Sequence, residues 1–490
     1  MKKKLVYRGK NPLIAIYRSL DKPEQRALGK WLASPAHNQR EDVLALHQYL
    51  LAGNHLYKTS ALEKTRLWRR LFGNDDFDDA RLRQTLHFAL RATEEWLAFQ
   101  HWQENQVQQK LALAAHYRRR KLDGPLERTL RQIEQLQTEF PFRNEDYFRN
   151  EYLLQLEHYT NLGTQLRTQK DVRLQAVADA LDHAYLIEKL RHCCNMLFHQ
   201  RVSSAPYETG LLDEAIRHIE ARQLEKTPGL ATYYFVIKAI TAPDTEREAQ
   251  YFEQLRSTVR QNGHLLPVPE QREVYLMAIN LCIPKINSGI EAYSREAFEW
   301  YRLGIAAGIL VENETLTRYT FLNATFLAIR LNELVWAEEF LEKYQSLLDE
   351  AHREQAYGFA KARLFYAKND YSATMRLLSQ MDFKDHAHNL FSKYMLLKMY
   401  YELEEFDALE SLLDSLSAYL RRREIVENQK TNGQNIIRLA RNLLRLDPYD
   451  RSKKEAYRQE VLNTQPLTER DWFLAMLEGR PKAAALNGGR

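Results

Sequence analysis

Residues 365–378, FYAKNDYSATMRLL, align with residues 400–413, YYELEEFDALESLL, at an offset of 35, pairing Tyr371 with Phe406 and Leu377-Leu378 with Leu412-Leu413. An earlier copy, AIRLNELVWAEEFL at 328–341, stands at an offset of 37, with Leu334 in the aromatic position and Phe340-Leu341 as the later pair. Copies spaced close to ~34 residues are the mark of stacked helical hairpins, each burying one seam against itself and another against its neighbour. The stretch 285–447 contains no proline, so its turns are made without the residue that most often stops a helix. Phe365, Tyr371, Tyr400 and Phe406 are expected to be largely buried in the seam.

These copies resemble the tetratricopeptide pattern. Phe365 and Tyr400 match its tyrosine in the first helix, and Tyr371 and Phe406 its aromatic opening the second. Leu341, Leu378 and Leu413 match its later large apolar site, and Ala337 its small residue in the second helix. Thr374 and Leu409 depart from that small residue, and the closing proline is missing from all three copies. Over nearly its whole length the chain also resembles a bacterial family of uncharacterised helical-repeat proteins. The stretches that carry this are Gly29-Lys-Trp-Leu-Ala-Ser-Pro35, Tyr275-Leu-Met-Ala-Ile-Asn-Leu-Cys-Ile-Pro-Lys-Ile-Asn-Ser-Gly289 and 400–413. The resemblance implies a fold, and it leaves the activity open.

Outside the repeats, helix punctuation continues through the chain and no run of β alternation is convincing. Asn11-Pro12 reads as an N-cap with proline at the first helical position. Ser60–Glu63 and Thr245–Glu248 fit the capping box. Leu82, Leu86, Phe88, Leu90, Trp96 and Leu97 recur at helical spacing. The expected fold is all-α: a right-handed α-solenoid of tetratricopeptide-like hairpins behind an N-terminal helical head. The expected divisions are a basic head at 1–124, irregular helical hairpins at 125–310, three repeats at 311–425, capping helices at 426–479 and a flexible tail at 480–490.

No apolar run approaches the ~18 residues a membrane span needs, since Leu303–Val311 is closed by Glu312. The basic opening has an apolar stretch of only about six residues before Arg18, too short for a signal peptide. The three cysteines, Cys193, Cys194 and Cys282, are an odd number and build no disulfide framework. A cytoplasmic protein is expected. The formal charge of +5 hides an asymmetry: residues 1–130 hold 24 Lys+Arg against 14 Asp+Glu, and the remainder 46 against 51. Arg66, Arg69, Arg70 and Arg118, Arg119, Arg120, Lys121 are the dense basic groups.

The sequence carries no Walker loop, dinucleotide fingerprint, G-x-S-x-G elbow or H-E-x-x-H helix. Asp75, Asp76, Asp78 and Asp79 lack the glycine and glutamate of an EF-hand, and read as helix N-capping. His183, His192, Cys193, Cys194 and His199 lack a second pair to close a metal tetrahedron, and read as buried cysteines with surface histidines. Pro284 interrupts a helical run, placing Asn280, Lys285 and Asn287 near freed backbone groups as a small candidate polar site.

No enzyme, metal or cofactor is therefore expected. A protein-binding scaffold is favoured, with a nucleic-acid-linked regulator using the basic head as the alternative. In tetratricopeptide hairpins the groove is lined by the first helix of each copy. The register transfers that face to Leu322, Phe326 and Arg330, to Phe359, Arg363 and Tyr366, and to Tyr394, Lys398 and Tyr401. Arg363 and Lys398 read as solvated cations suited to an acidic or amphipathic peptide.

Overall fold

The computed structural model describes residues 11–162, 173–203, 205–381, 386–422, 427–447 and 449–478. The expected tail at 480–490 lies outside them. The chain is 81% helical, and no described helix is long and apolar enough to cross a membrane. It divides into two compact units, Met1–Tyr185 and Leu186–Arg490.

The first unit opens with the expected cap: Asn11 Oδ1 accepts from the Leu13 amide at the start of Pro12–Ser19. A full capping box follows at Asp21 and Glu24, with Pro23 inside the first turn of Lys22–Ala33. The Ser60–Glu63 box does not form. Thr59–Leu62 is a 3-10 turn, and Lys64–Phe72 starts after Glu63 without a side-chain cap. Helices Glu41–Leu51 and Asp79–Glu104 complete a core around Leu28, Leu46, Leu67, Leu82 and Trp96. Asp78 caps the last of these helices, and Asp79 pairs with Lys64, so those carboxylates serve helix termini. The expected boundary at 124 falls inside a hairpin: Gln106–Arg119 and Asp123–Glu139 pack with Glu145–Leu162 around Leu111, Leu126, Ile133 and Leu154.

In the second unit the three sequence copies are three helical hairpins: Arg318–Arg330 with Leu334–Tyr344, Glu350–Ala367 with Tyr371–Gln380, and His386–Glu402 with Phe406–Arg422. Each turns in the same way. Asn332, Asn369 and Glu404 take left-handed φ of 59°, 60° and 59°. The amide that follows each one reaches back to the first residue of the quoted stretch: Glu333 to Ala328 (2.8 Å), Asp370 to Phe365 (2.9 Å) and Glu405 to Tyr400 (2.8 Å). This is the helix-ending turn in which an αL residue lets two orphan carbonyls be satisfied. The same turn recurs at Gly289, with Ile290 bonded to Lys285, joining Val268–Asn287 to Glu291–Ala306. That further hairpin escapes self-alignment because its spacing and apolar residues have drifted, although Gly289 is the usual residue for such a turn. A two-residue β-hairpin, Val311–Glu312 with Thr315–Leu316, follows it, with Asn313 and Glu314 both at positive φ.

The seam is partly as expected. Ala337, Thr374 and Leu409 are fully buried, so the small-residue site tolerates threonine and leucine here. Tyr371 is buried and Phe365 and Tyr400 are half-buried, but Phe406 is 45% exposed. Tyr371 is covered by the next copy, bonding its Glu402, whereas Phe406 belongs to the last copy and meets Tyr401 of its own hairpin, ring centres 6.1 Å apart. The box expected at Thr245–Glu248 shifts by one residue: Asp244 is the cap, bonding the Arg247 amide, and Glu248 instead pairs with Lys285 at 2.6 Å. After the hairpins, Glu427–Leu444, Arg451–Asn463 and Arg470–Leu477 close a core around Leu409, Leu413, Leu416, Ile436, Tyr457, Val461 and Phe473.

Candidate functional site

The first helices of the three hairpins carry the nine expected surface residues, and the fold sorts them into three groups. Leu322, Phe359 and Tyr394 are buried and belong to the packing. Tyr366, Lys398 and Tyr401 are used by the chain itself. Phe326, Arg330 and Arg363 line an open pocket.

The second group meets the C-terminal segment. Lys398 Nζ donates to Glu469 Oε2 at 2.7 Å, both side chains being largely buried. Lys398 also lies 5.0 Å from the Tyr366 ring centre. It is therefore not the solvated cation the sequence suggests. Tyr401 meets Trp472 edge to face, with ring centres 5.5 Å apart. Glu402 gathers three donors: Tyr366 Oη at 3.0 Å, Trp472 Nε1 at 2.7 Å and Tyr371 Oη. Burial, reinforced by the Glu402 carboxylate, pushes both phenols above the usual tyrosine range and keeps them protonated as donors. Glu402, Glu469 and Trp472 are absent from the sequence-based set. The last two lie outside the repeat, and no local pattern announces that the chain returns there.

The third group forms a pocket of about 600 Å³. Phe326 stacks edge-on against Phe359, ring centres 5.7 Å apart, and the Arg363 guanidinium sits 4.0 Å from the centre of the Phe326 ring. Arg363 makes no hydrogen bond or ion pair among the described residues. Burial lowers its pKa from the ordinary arginine value, with only the more distant Glu469 opposing. It remains a cation, because arginine does not deprotonate in proteins. Arg330 and Asp471 are exposed at the rim. Asn323, whose amide donates to Tyr301 Oη at 3.3 Å, and Asn280 add polar groups, while Ile283, Ile286, Leu327 and Ile329 supply apolar wall. Of the candidate polar site at Pro284, Asn280 reaches this pocket, and Lys285 is engaged with Glu248.

Elsewhere the three cysteines are free and buried, with the Cys194 thiol directed at the Tyr233 carbonyl and Cys282 at Ala278. Burial raises each thiol pKa, leaving them unreactive. In the first unit, Arg66, Arg69 and Arg70 face a hollow of about 490 Å³ with His55, and none is ion-paired among the described residues. Arg118 is committed to Glu157 at 2.6 Å.

Compared with known proteins, the chain matches no family model, no curated protein and no solved structure to a significant degree.

Proposed function

We propose that the protein is a non-enzymatic interaction scaffold of the cytoplasm, its hairpins stacked as a right-handed, tetratricopeptide-like α-solenoid of the bacterial family it resembles. Its first-helix surface receives an acidic or amphipathic segment of a protein partner. The observation carrying this reading is that the surface already holds such a segment of its own chain: Glu469 on Lys398, and Trp472 on Tyr401 and Glu402. Acidic and aromatic side chains are thus what this face accommodates. The neighbouring part, with Phe326, Arg330 and Arg363, is open for a partner.

Selection of displayed peptides against the full chain tests it. Enriched peptides should combine carboxylates with aromatic or aliphatic anchors, and binding should weaken about tenfold or more on Arg330→Glu, an exposed change that leaves the fold intact. Enrichment without acidic residues, or binding indifferent to that substitution, would reject the groove.

The unpaired Arg66, Arg69 and Arg70 favour a second reading, in which the first unit contacts a nucleic-acid backbone. Gel shifts that weaken steeply with salt and vanish on Arg→Glu at these positions would establish it. Their absence at physiological salt would remove it.

A further inference from the structure

We propose that the pocket beneath Phe326 and Arg363 is a small-molecule site for an apolar monocarboxylic acid, of about the size of an N-acylated amino acid or an aromatic acid. The proposal deepens the scaffold reading and rests on it only for the consequence of binding, since the ligand would cover residues a partner needs.

Three features select the ligand. The first is an unsatisfied charge. Several half-buried cations of this unit have a counter-ion at bonding distance, as Lys398 has Glu469, Lys285 has Glu248 and Arg191 has Glu273. Arg363 has the Phe326 face instead and no hydrogen bond among the described residues. Its donors border the open pocket, and a carboxylate arriving there in two-pronged geometry can take them.

Charge is the second. Arg363 and Arg330 against Asp471 leave the pocket at net +1. One carboxylate neutralises it, whereas a phosphate dianion overshoots beside Asp471. The Asn280 and Asn323 amides line the pocket as polar groups without adding charge.

Shape is the third. About 600 Å³ falls within the range of small-ligand pockets, and Ile283, Ile286, Leu327 and Ile329 make an apolar wall for the body of the acid. Toward the later hairpins the surface is taken up by the Lys398–Glu469 pair and Trp472, and the pocket itself has room for a compact ligand.

The test uses the full chain and calorimetric titration with N-acetyl-leucine, its neutral counterpart N-acetyl-leucinamide, inorganic phosphate, and a tripeptide ending in leucine. The free acid should bind about tenfold or more tightly than the amide, the value of a charge-assisted hydrogen bond pair. Arg363→Met should abolish this preference while leaving the melting temperature close to the parent's, so that lost binding is not lost fold. Should that variant not fold, the exposed Arg330→Met serves, and should weaken the acid several-fold. Equal binding of acid and amide, preference for phosphate, or no binding to the folded protein overturns the proposal. Tighter binding of the tripeptide transfers the site to a peptide terminus and likewise overturns the small-acid assignment. Acid binding together with failed peptide selection would leave the site standing and remove the scaffold reading.

Discussion

Lys398 and Glu469 are 71 residues apart in sequence and meet at 2.7 Å, their side chains only 14% and 17% exposed. Removing one member of such a pair leaves the other charge desolvated and alone. Lys398→Met or Glu469→Leu alone should each cost about 3 kcal/mol, and the double change distinctly less than their sum, because the abandoned charge is then gone. Denaturant titration of the two single variants and the double variant checks this. Additive losses would mean that the pair is solvated.

His47 makes the first unit sensitive to acid. Its ring is buried, with Nδ1 3.0 Å from Tyr17 Oη, and burial pulls its pKa down from 6.5 to about 4. Between those values the unfolded chain binds a proton the folded one refuses. Its contribution to stability is therefore present above about pH 6.5 and is lost as pH falls toward 4. Allowing for partial screening, the loss is about 2 kcal/mol. His47→Gln should flatten this part of the stability profile, measured as melting temperature against pH; an unchanged slope would place the sensitivity elsewhere.

Two helical glycines predict different costs. A Cβ on Gly433 would stand 2.8 Å from Leu420 Cδ1 and 3.0 Å from Tyr394 Oη, so Gly433→Ala should destabilise by about 1–3 kcal/mol through overpacking. Gly124 has nothing beyond its chain neighbours within 4 Å of the same position, but it precedes Pro125, whose ring opposes a helical Cβ there, so Gly124→Ala should change stability by less than about 1 kcal/mol. Chemical denaturation of both variants decides it.

The repeated turn gives a fourth test. Glu404 holds φ +59° without being glycine, and Glu404→Gly should stabilise by about 0.5–1 kcal/mol. In the helix that follows, Leu409→Ala should cost about 2–5 kcal/mol, and the half-exposed Phe406→Ala under about 1.5 kcal/mol. Thermal melts that rank Phe406 above Leu409 would mean the hairpin packs through its other face.

That this chain is helical, and where its three repeated hairpins lie, is legible in the order of its residues. Those signals are local: Asn11 caps an amide two residues on, and the turns at Asn332, Asn369 and Glu404 close bonds five residues long. Apolar spacing likewise identified the buried Leu341, Leu378 and Leu413. Which of the nine surface residues are open depends on long-range packing. Glu469 and Trp472 come back onto Lys398, Tyr401 and Glu402 from outside the repeat, and the pocket joins Asn280 to Arg363 and Asp471 across most of the second unit. Such contacts are chosen by the packing of whole helices, and an exposed-looking Lys398 or an unpaired Arg363 has the same local sequence whether or not a carboxylate arrives.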